Sequence, residues 1–166
     1  MIVRDETPHD FSAIREINLA AFRDHPFSQQ TEHLIVEALR DAGALELSLV
    51  AEVDGVVVGH IAFSSARVGD ASSGWFLLGP VAVTPQHQGR GVGRALIEAG
   101  LEALRGRGAR GFVLVGDPAF YDRFGFRHLP GVTCAGVPDE YVLCLPVGET
   151  VATGEVWHHP AFSVEA

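Results

Sequence analysis

The sequence predicts one mixed α/β domain, and three observations carry that expectation. The first is a hairpin: two apolar, β-branched runs, residues 47–53 and 56–64, flank the two-residue turn Asp54-Gly55. The second is a strand, a glycine-rich turn and an amphipathic helix in immediate succession across residues 75–105. The third is the alternation of strand-like and helix-like patterns in the order β-α-α-β-β-β-α-β-α-β-β, with no repeat, linker or low-complexity segment. With 166 residues, 47% of them hydrophobic, the chain suffices for one complete core and is too short for two ordinary domains.

Residues 2–4 read as a first strand. Thr7-Pro8 then supplies an N-cap with proline at the first helical position, and Asp10 favours the same helix start. Apolar Phe11, Ile14, Ile17, Leu19, Ala20 and Ala21 carry that helix to about Phe22. A loop, 23–30, contains Pro26, and a second helix over 31–42 places Leu34, Ile35, Ala38 and Leu39 on one face before Gly43 ends it. After the hairpin, residues 67–74 read as a polar turn. The strand at 75–83 is interrupted by Gly79-Pro80; proline donates nothing to a ladder and glycine marks a bulge, so this strand should be irregular there. Val92, Ala95, Leu96, Ala99 and Ala103 form the stripe of the next helix. Residues 112–115 are a buried strand, 118–124 a short helix, Phe126 the start of another strand, and 141–145 the last strand.

The segment 81–93, Val-Ala-Val-Thr-Pro-Gln-His-Gln-Gly-Arg-Gly-Val-Gly, carries the functional signal. Glycines let a main chain approach a phosphate closely, and the unpaired N–H groups and macrodipole of a helix N-terminus favour negative charge. A dinucleotide fingerprint needs a further glycine where Arg94 stands, and a P-loop needs lysine, which this chain lacks altogether. The segment resembles the acyl-CoA pyrophosphate loop of the GNAT acetyltransferase superfamily, Gln/Arg-x-x-Gly-x-Gly/Ala after a Val-x-Val strand end. Gln88, Gly91 and Gly93 occupy its three positions. A second motif matches about 30 residues later, Tyr-x-x-x-Gly-Phe, at Tyr121, Gly125 and Phe126. The Gly-Asp-Pro-x-x-Tyr form of that motif, with a tail Glu-Val-x-x-His-Pro-Ala-Phe at 155–162, is similar to a bacterial subgroup of acetyltransferases.

The resemblance covers roughly residues 1–147 and implies a GNAT fold: a mixed sheet of six to seven strands flanked by about four helices, its strands splayed at the acetyl-CoA site. It implies acetyl-CoA as co-substrate, held by Gln88, Gly89, Arg90, Gly91, Val92, Gly93 and Arg94 at the pyrophosphate and by Val81, Ala82 and Val83 along the pantetheine arm. A backbone N–H freed by the irregularity at Gly79-Pro80 would meet the thioester oxygen as charge develops. Tyr121 is the expected general acid toward the thiolate, a leaving group that needs little help. No general base is assigned. The strand before the loop carries no carboxylate, which leaves Glu52 or His60 acting through water, His25 and Glu32 near the first two helices, or an amine arriving neutral. The expected activity is direct acetyl transfer to a primary amine of a small molecule or a peptide; the alternative is a non-catalytic acyl-CoA-binding sensor or scaffold.

A net charge of −9 argues against nucleic-acid binding. Five arginines cluster at Arg90, Arg94, Arg105, Arg107 and Arg110; the last three suit a helix C-terminus without any ligand. Nothing approaches the ~20 apolar residues of a membrane span, and the N-terminal residues lack the build of a signal peptide. Cys134 and Cys144 read as reduced, buried thiols, so the expected compartment is the cytoplasm. No metal site is expected: His158-His159 lacks ligand spacing and no Cys-x-x-Cys occurs. A Gly-x-Ser-x-Gly nucleophile elbow is likewise missing. A homodimer is left open.

Overall fold

The computed structural model describes residues 1–165, and at Ala71 and Ser72 only the course of the backbone. Strands β1 (Ile2–Asp5), β2 (Leu45–Val53), β3 (Val56–Val68), β4 (Ala71–Val83), β5 (Gly111–Val115) and β7 (Val142–Pro146) form the sheet in the order β1-β2-β3-β4-β5-β7. All neighbours on that path are antiparallel except the parallel pair β4 and β5. Helices α1 (Phe11–Phe22) and α2 (Glu32–Asp41) cover one face, and α3 (Val92–Gly106) and the short α4 (Pro118–Tyr121) the other. The mixed α/β class and the four helices expected from the sequence are present among the described residues, and the expected element order holds as far as α4.

Among the described residues the sheet has eight strands rather than six or seven. Strand β8 (Gly154–His158) lies against the far end of β3, pairing Ala66–Val68, and β6 (Val132–Thr133) pairs with β8. It becomes visible only in three dimensions, because β3 runs on past the predicted end at residue 64 and needs an edge partner there. The expected polar turn at 67–74 shrinks to Gly69 and Asp70 between two long strands. A Cβ on Gly69 would collide with the backbone of Thr153, so glycine is what admits the tail to this corner. Phe126 opens no strand; the following residue makes only an isolated bridge, Arg127 to Cys144.

Side-chain alternation sorts the core. Ile61 and Phe63 point toward α3, where they meet Leu96, Ile97 and Leu101, whereas Val50 faces Ile14 of α1 and Val36 of α2. Further along the α1 face, Trp75, Leu77, Val113 and Cys144 form a separate cluster with Val132 and Val156 of the two tail strands. Cys134 and Cys144 are buried and unbridged, and burial pushes the Cys144 thiol up to about 12. The helix start at Thr7-Pro8 appears as a short 3₁₀ turn, Pro8–Asp10. The buried Asp10 carboxylate accepts from the Thr7 N–H at 2.7 Å and from both terminal nitrogens of Arg4. Arg4 also binds Glu52 at 2.6 Å, which ties β1 to β2.

Helix α3 approaches β3 closely because the contact point carries no side chain. A Cβ on Gly100 would run into the Phe63 ring, which is fully buried and also packs edge-on against Phe112. Gly100→Ala should therefore destabilise the fold by about 1–3 kcal/mol from overpacking, outweighing the ~1 kcal/mol that alanine gains in a helix. Urea denaturation measures the sum, and a midpoint at or above wild type would contradict the packing argument.

Candidate active site

The site begins where two parallel strands part. Trp75, Phe76 and Leu77 of β4 pair with Gly111, Phe112 and Val113 of β5. Beyond Leu77 the strands diverge: β5 continues with Leu114 and Val115 against β7, and β4 continues to Val83 against β3 alone. Just past the fork, Gly79 and Pro80 together face the single residue Ala62, so the strand bulges as its sequence predicts. Backbone N–H and C=O groups on the far side of Leu78–Val83 consequently face a gap rather than a strand. An extended polyamide arm can pair with such an edge.

The gap leads into the glycine turn. Thr84 donates its N–H to the Val58 carbonyl at 2.9 Å, and a 3₁₀ turn, Pro85–His87, follows. Gln88 turns its side-chain amide back onto the Val83 carbonyl at 3.0 Å, bracing the strand end. Gly89 and Gly91 have left-handed φ of +74° and +83°, a conformation glycine adopts without steric penalty. Helix α3 starts immediately after, its first bond being Ala95 N–H to Gly91 C=O at 3.0 Å. The N–H groups of Val92, Gly93 and Arg94 therefore have no intrahelical acceptor, and no side chain caps them. Three free donors at the positive end of a 15-residue helix are the groups that could receive a negatively charged ligand.

Not every predicted ligand offers a side chain here. Val92 is buried and Ala82 faces the core of the opposite side, so only their backbones are available. Val81 and Val83 are half-buried along the gap. Arg90 is exposed, and Arg94 is exposed in a 2.9 Å pair with Glu98, one turn further along the helix. Gly93 is informative because the protein's own packing does not demand it: a Cβ would meet only the Val83 side chain, at an ordinary 3.7 Å. A glycine that costs a helix ~1 kcal/mol without a packing reason points to an external group approaching the backbone.

Tyr121 closes the other wall. Asp117 caps α4 by accepting from the Ala119 N–H at 2.9 Å, and the Tyr121 ring packs edge-on against Phe120 and Phe126. It folds back over the end of β5, where a Cβ on Gly116 would sit 2.7 Å from the ring. Gly116 thus makes room for the tyrosine at the fork, a role its place in Gly-Asp-Pro-x-x-Tyr hints at but does not reveal. Burial pushes the phenol up to about 12, so the hydroxyl stays a proton donor at any physiological pH.

Residues 11–126 match the Acetyltransferase (GNAT) family. The chain belongs to that family. Among relatives of this GNAT protein, the uncharacterized N-acetyltransferase YhbS of Escherichia coli K12 is 38% identical over 128 residues, 76% of this chain and 74% of YhbS. A GNAT family acetyltransferase from Brucella melitensis, solved in complex with acetyl-CoA, is 49% identical with a TM-score of 0.86, covering 97% of each chain. The crystal structure of E. coli YhbS in complex with CoA has a TM-score of 0.87 at 32% identity, covering 98% of this chain and 92% of that one.

The four candidate bases of this GNAT protein fare differently. Glu52 is spent on Arg4. Glu32 accepts the Ser28 hydroxyl at 2.7 Å, and the His25 ring lies between Phe22 and Phe27 while its Nδ1 accepts the Phe27 N–H. His60 is fully buried on β3, beside Ala82 of β4, with its Nε2 2.8 Å from Ser48 Oγ. Sequence reasoning missed Ser48, Glu6 and Arg40, which join His60 in one network, because no local pattern links positions 6, 40, 48 and 60. Among the described residues, no group of three or more His, Cys, Asp or Glu is placed to hold a metal. No described helix is long and apolar enough to cross a membrane.

Burial lowers His60 from its ordinary 6.5 to about 4, partly opposed by Glu6, with Arg40 adding to the lowering. Between those values the unfolded chain binds a proton that the folded protein refuses, so stability is complete above pH 6.5 and falls as pH drops toward 4. The thermal midpoint should decline across that window, and the decline should shrink in His60→Gln. Equal declines in both proteins would show that His60 does not govern it.

Proposed function

We propose that this GNAT protein transfers the acetyl group of acetyl-CoA to a primary amine of a small molecule or peptide, with residues 1–166 acting as one acetyltransferase domain. The observation that carries this reading is the unpaired edge of β4 running directly into a glycine turn and an uncapped helix N-terminus. One continuous backbone surface offers strand pairing for a pantetheine arm, then free N–H donors for a pyrophosphate. The residues fit the group: Gly89 and Gly91 have open space where a Cβ would stand, and Gly93 has room to spare. The complexes of the Brucella protein with acetyl-CoA and of YhbS with CoA support the same donor.

In this reading Val92, Gly93 and Arg94 bind the pyrophosphate through their N–H groups, and Gln88 and Gly89 shape the turn. Arg90 and Arg94 add positive charge at the rim. Val81, Ala82 and Val83 lie along the pantetheine arm. The amine attacks the thioester carbon, and Tyr121 protonates the departing thiolate. Its raised pKa suits a donor that must not ionise prematurely, and a thiolate released in a dry site accepts a proton readily. We place the protein in the cytoplasm on its two unbridged cysteines.

Two variants test the assignment. Gly93→Ala should keep wild-type stability or gain up to ~1 kcal/mol and lose more than about tenfold in acetyl-CoA affinity, which is above ~1.4 kcal/mol. Calorimetry finding unchanged affinity would remove the pyrophosphate from this turn. Tyr121→Phe retains ring packing and should lower kcat roughly 10²-fold, at the modest end for acid catalysis, with little change in acetyl-CoA binding. The assay is thiol release with a panel of alkylamines, polyamines and peptides. A folded Tyr121→Phe protein with wild-type kcat would reduce the tyrosine to packing.

A further inference from the structure

With α3, α4 and the anion site on one face, the acceptor amine must reach the fork from the other, the face under α1. Beneath α1 the described residues leave three buried side-chain atoms without a protein partner: Asn18 Oδ1, His60 Nδ1 and Ser64 Oγ. His60 is the ionisable member. It neighbours Ala82 on β4 and stands two residues, about 7 Å, from Ala62, the position facing the bulge.

The hydrogen-bond network assigns its tautomer. Glu6 accepts from Arg40 Nε at 2.9 Å and from its terminal nitrogen at 3.0 Å. Burial works against the Glu6 charge, but the bonds from Arg40 and Ser48 outweigh it and hold the carboxyl below its ordinary range. A carboxylate only accepts, so the single hydroxyl proton of Ser48 goes to Glu6. Ser48 Oγ can then only accept from the ring, and His60 must carry its proton on Nε2, 2.8 Å away. Nδ1 is left with a bare lone pair in a fully buried layer. An unmatched acceptor there opposes folding, which singles it out as more than a packing residue.

Resting on the transferase reading above, we propose that His60 Nδ1 takes the proton of the acceptor amine through one bridging water, with Glu6 and Ser48 orienting the ring. The balance closes. An ammonium acceptor loses two protons overall, the thiolate gains one, and one must leave. Before attack the ammonium passes that proton to water and the water's to Nδ1, which frees the nitrogen lone pair. Nitrogen then bonds to the acyl carbon, the carbon–sulfur bond breaks, Tyr121 protonates the thiolate, and the second nitrogen proton replaces the one Tyr121 gave. The imidazolium keeps its Nε2–H on Ser48, and its charge faces Glu6, whose oxygen lies 3.9 Å from the ring nitrogen. After the amide departs the proton returns to solvent through the same water. Glu6 from the β1–α1 connection and Arg40 from α2 are the charged groups that act on the ring; α1 turns Ile14, Ile17 and Asn18 inward, and β4 presents Ala82.

The test compares wild type, Ser48→Ala and His60→Gln across amines of decreasing basicity, with ¹⁵N NMR of the wild-type ring. Nδ1 should be unprotonated and Nε2 protonated. Ser48→Ala should lower kcat/KM roughly tenfold or more for strongly basic alkylamines. The deficit should shrink for weakly basic amines such as hydrazines and anilines, which shed their proton to water unaided, while acetyl-CoA affinity stays unchanged. A protonated Nδ1, a folded Ser48→Ala protein with wild-type kcat/KM, or a deficit equal for all amines would each overturn the proposal. If His60→Gln does not fold, Ser48→Ala decides alone. A wild type that binds acetyl-CoA but transfers to no amine would instead refute the transferase reading, and this inference with it.

Discussion

The candidate site of this protein depends on the parting of β4 from β5 after Leu77. Two parallel strands that stayed paired would have satisfied each other's backbone groups and left no surface for a donor substrate. Here the bulge at Gly79 and Pro80 turns β4 away while β5 is held by its antiparallel partner β7. The open edge of β4, the bulge and the end of β5 are thus consequences of one break in pairing. The place of the uncapped N-terminus of α3 follows from the same break, because β4 delivers the chain past the gap before it can begin the helix.

Keeping the fork open requires rigid surroundings, and glycine supplies them by absence of volume. Gly59 sits on β3 where a Cβ would come 2.8 Å from the Val92 side chain, so the first turn of α3 can rest on the sheet. Gly100 performs the same service eight residues later against Phe63. Together they fix the direction in which the helix N-terminus points. Gly116 lets Tyr121 fold over the end of β5. These three glycines serve close packing, whereas Gly89 and Gly91 serve backbone conformation, with left-handed φ and open space around them.

The α1 face is organised by charge rather than by volume. Arg40, Glu6, Ser48 and His60 draw on α2, the β1–α1 connection, β2 and β3, so a single hydrogen-bonded chain crosses four segments of the fold. Buried polar groups are tolerated when their partners are complete. This chain is complete except at its innermost atom. Its Arg40–Glu6 pair is mostly shielded from water, so the orientation of the histidine ring is set by structure and not by solvent.

The sequence by itself determined the local features: the Asp54-Gly55 hairpin, the helix start at Thr7-Pro8, the irregular strand at Gly79-Pro80, and the strand–turn–helix with Gln88, Gly91 and Gly93. Each is written in residues close together along the chain, where backbone sterics and periodicity act directly. The family was legible for the same reason, through two compact motifs. Strand β8 was not, because five residues become a strand only when β3 extends beyond β2 and offers an edge. The network around His60 was equally hidden. A hydrogen bond between positions 48 and 60, and a carboxylate from position 6 behind it, exist only once β2 and β3 adopt their register; side-chain geometry across strands is decided by the tertiary structure, since nothing in local sequence encodes which residues will stand side by side.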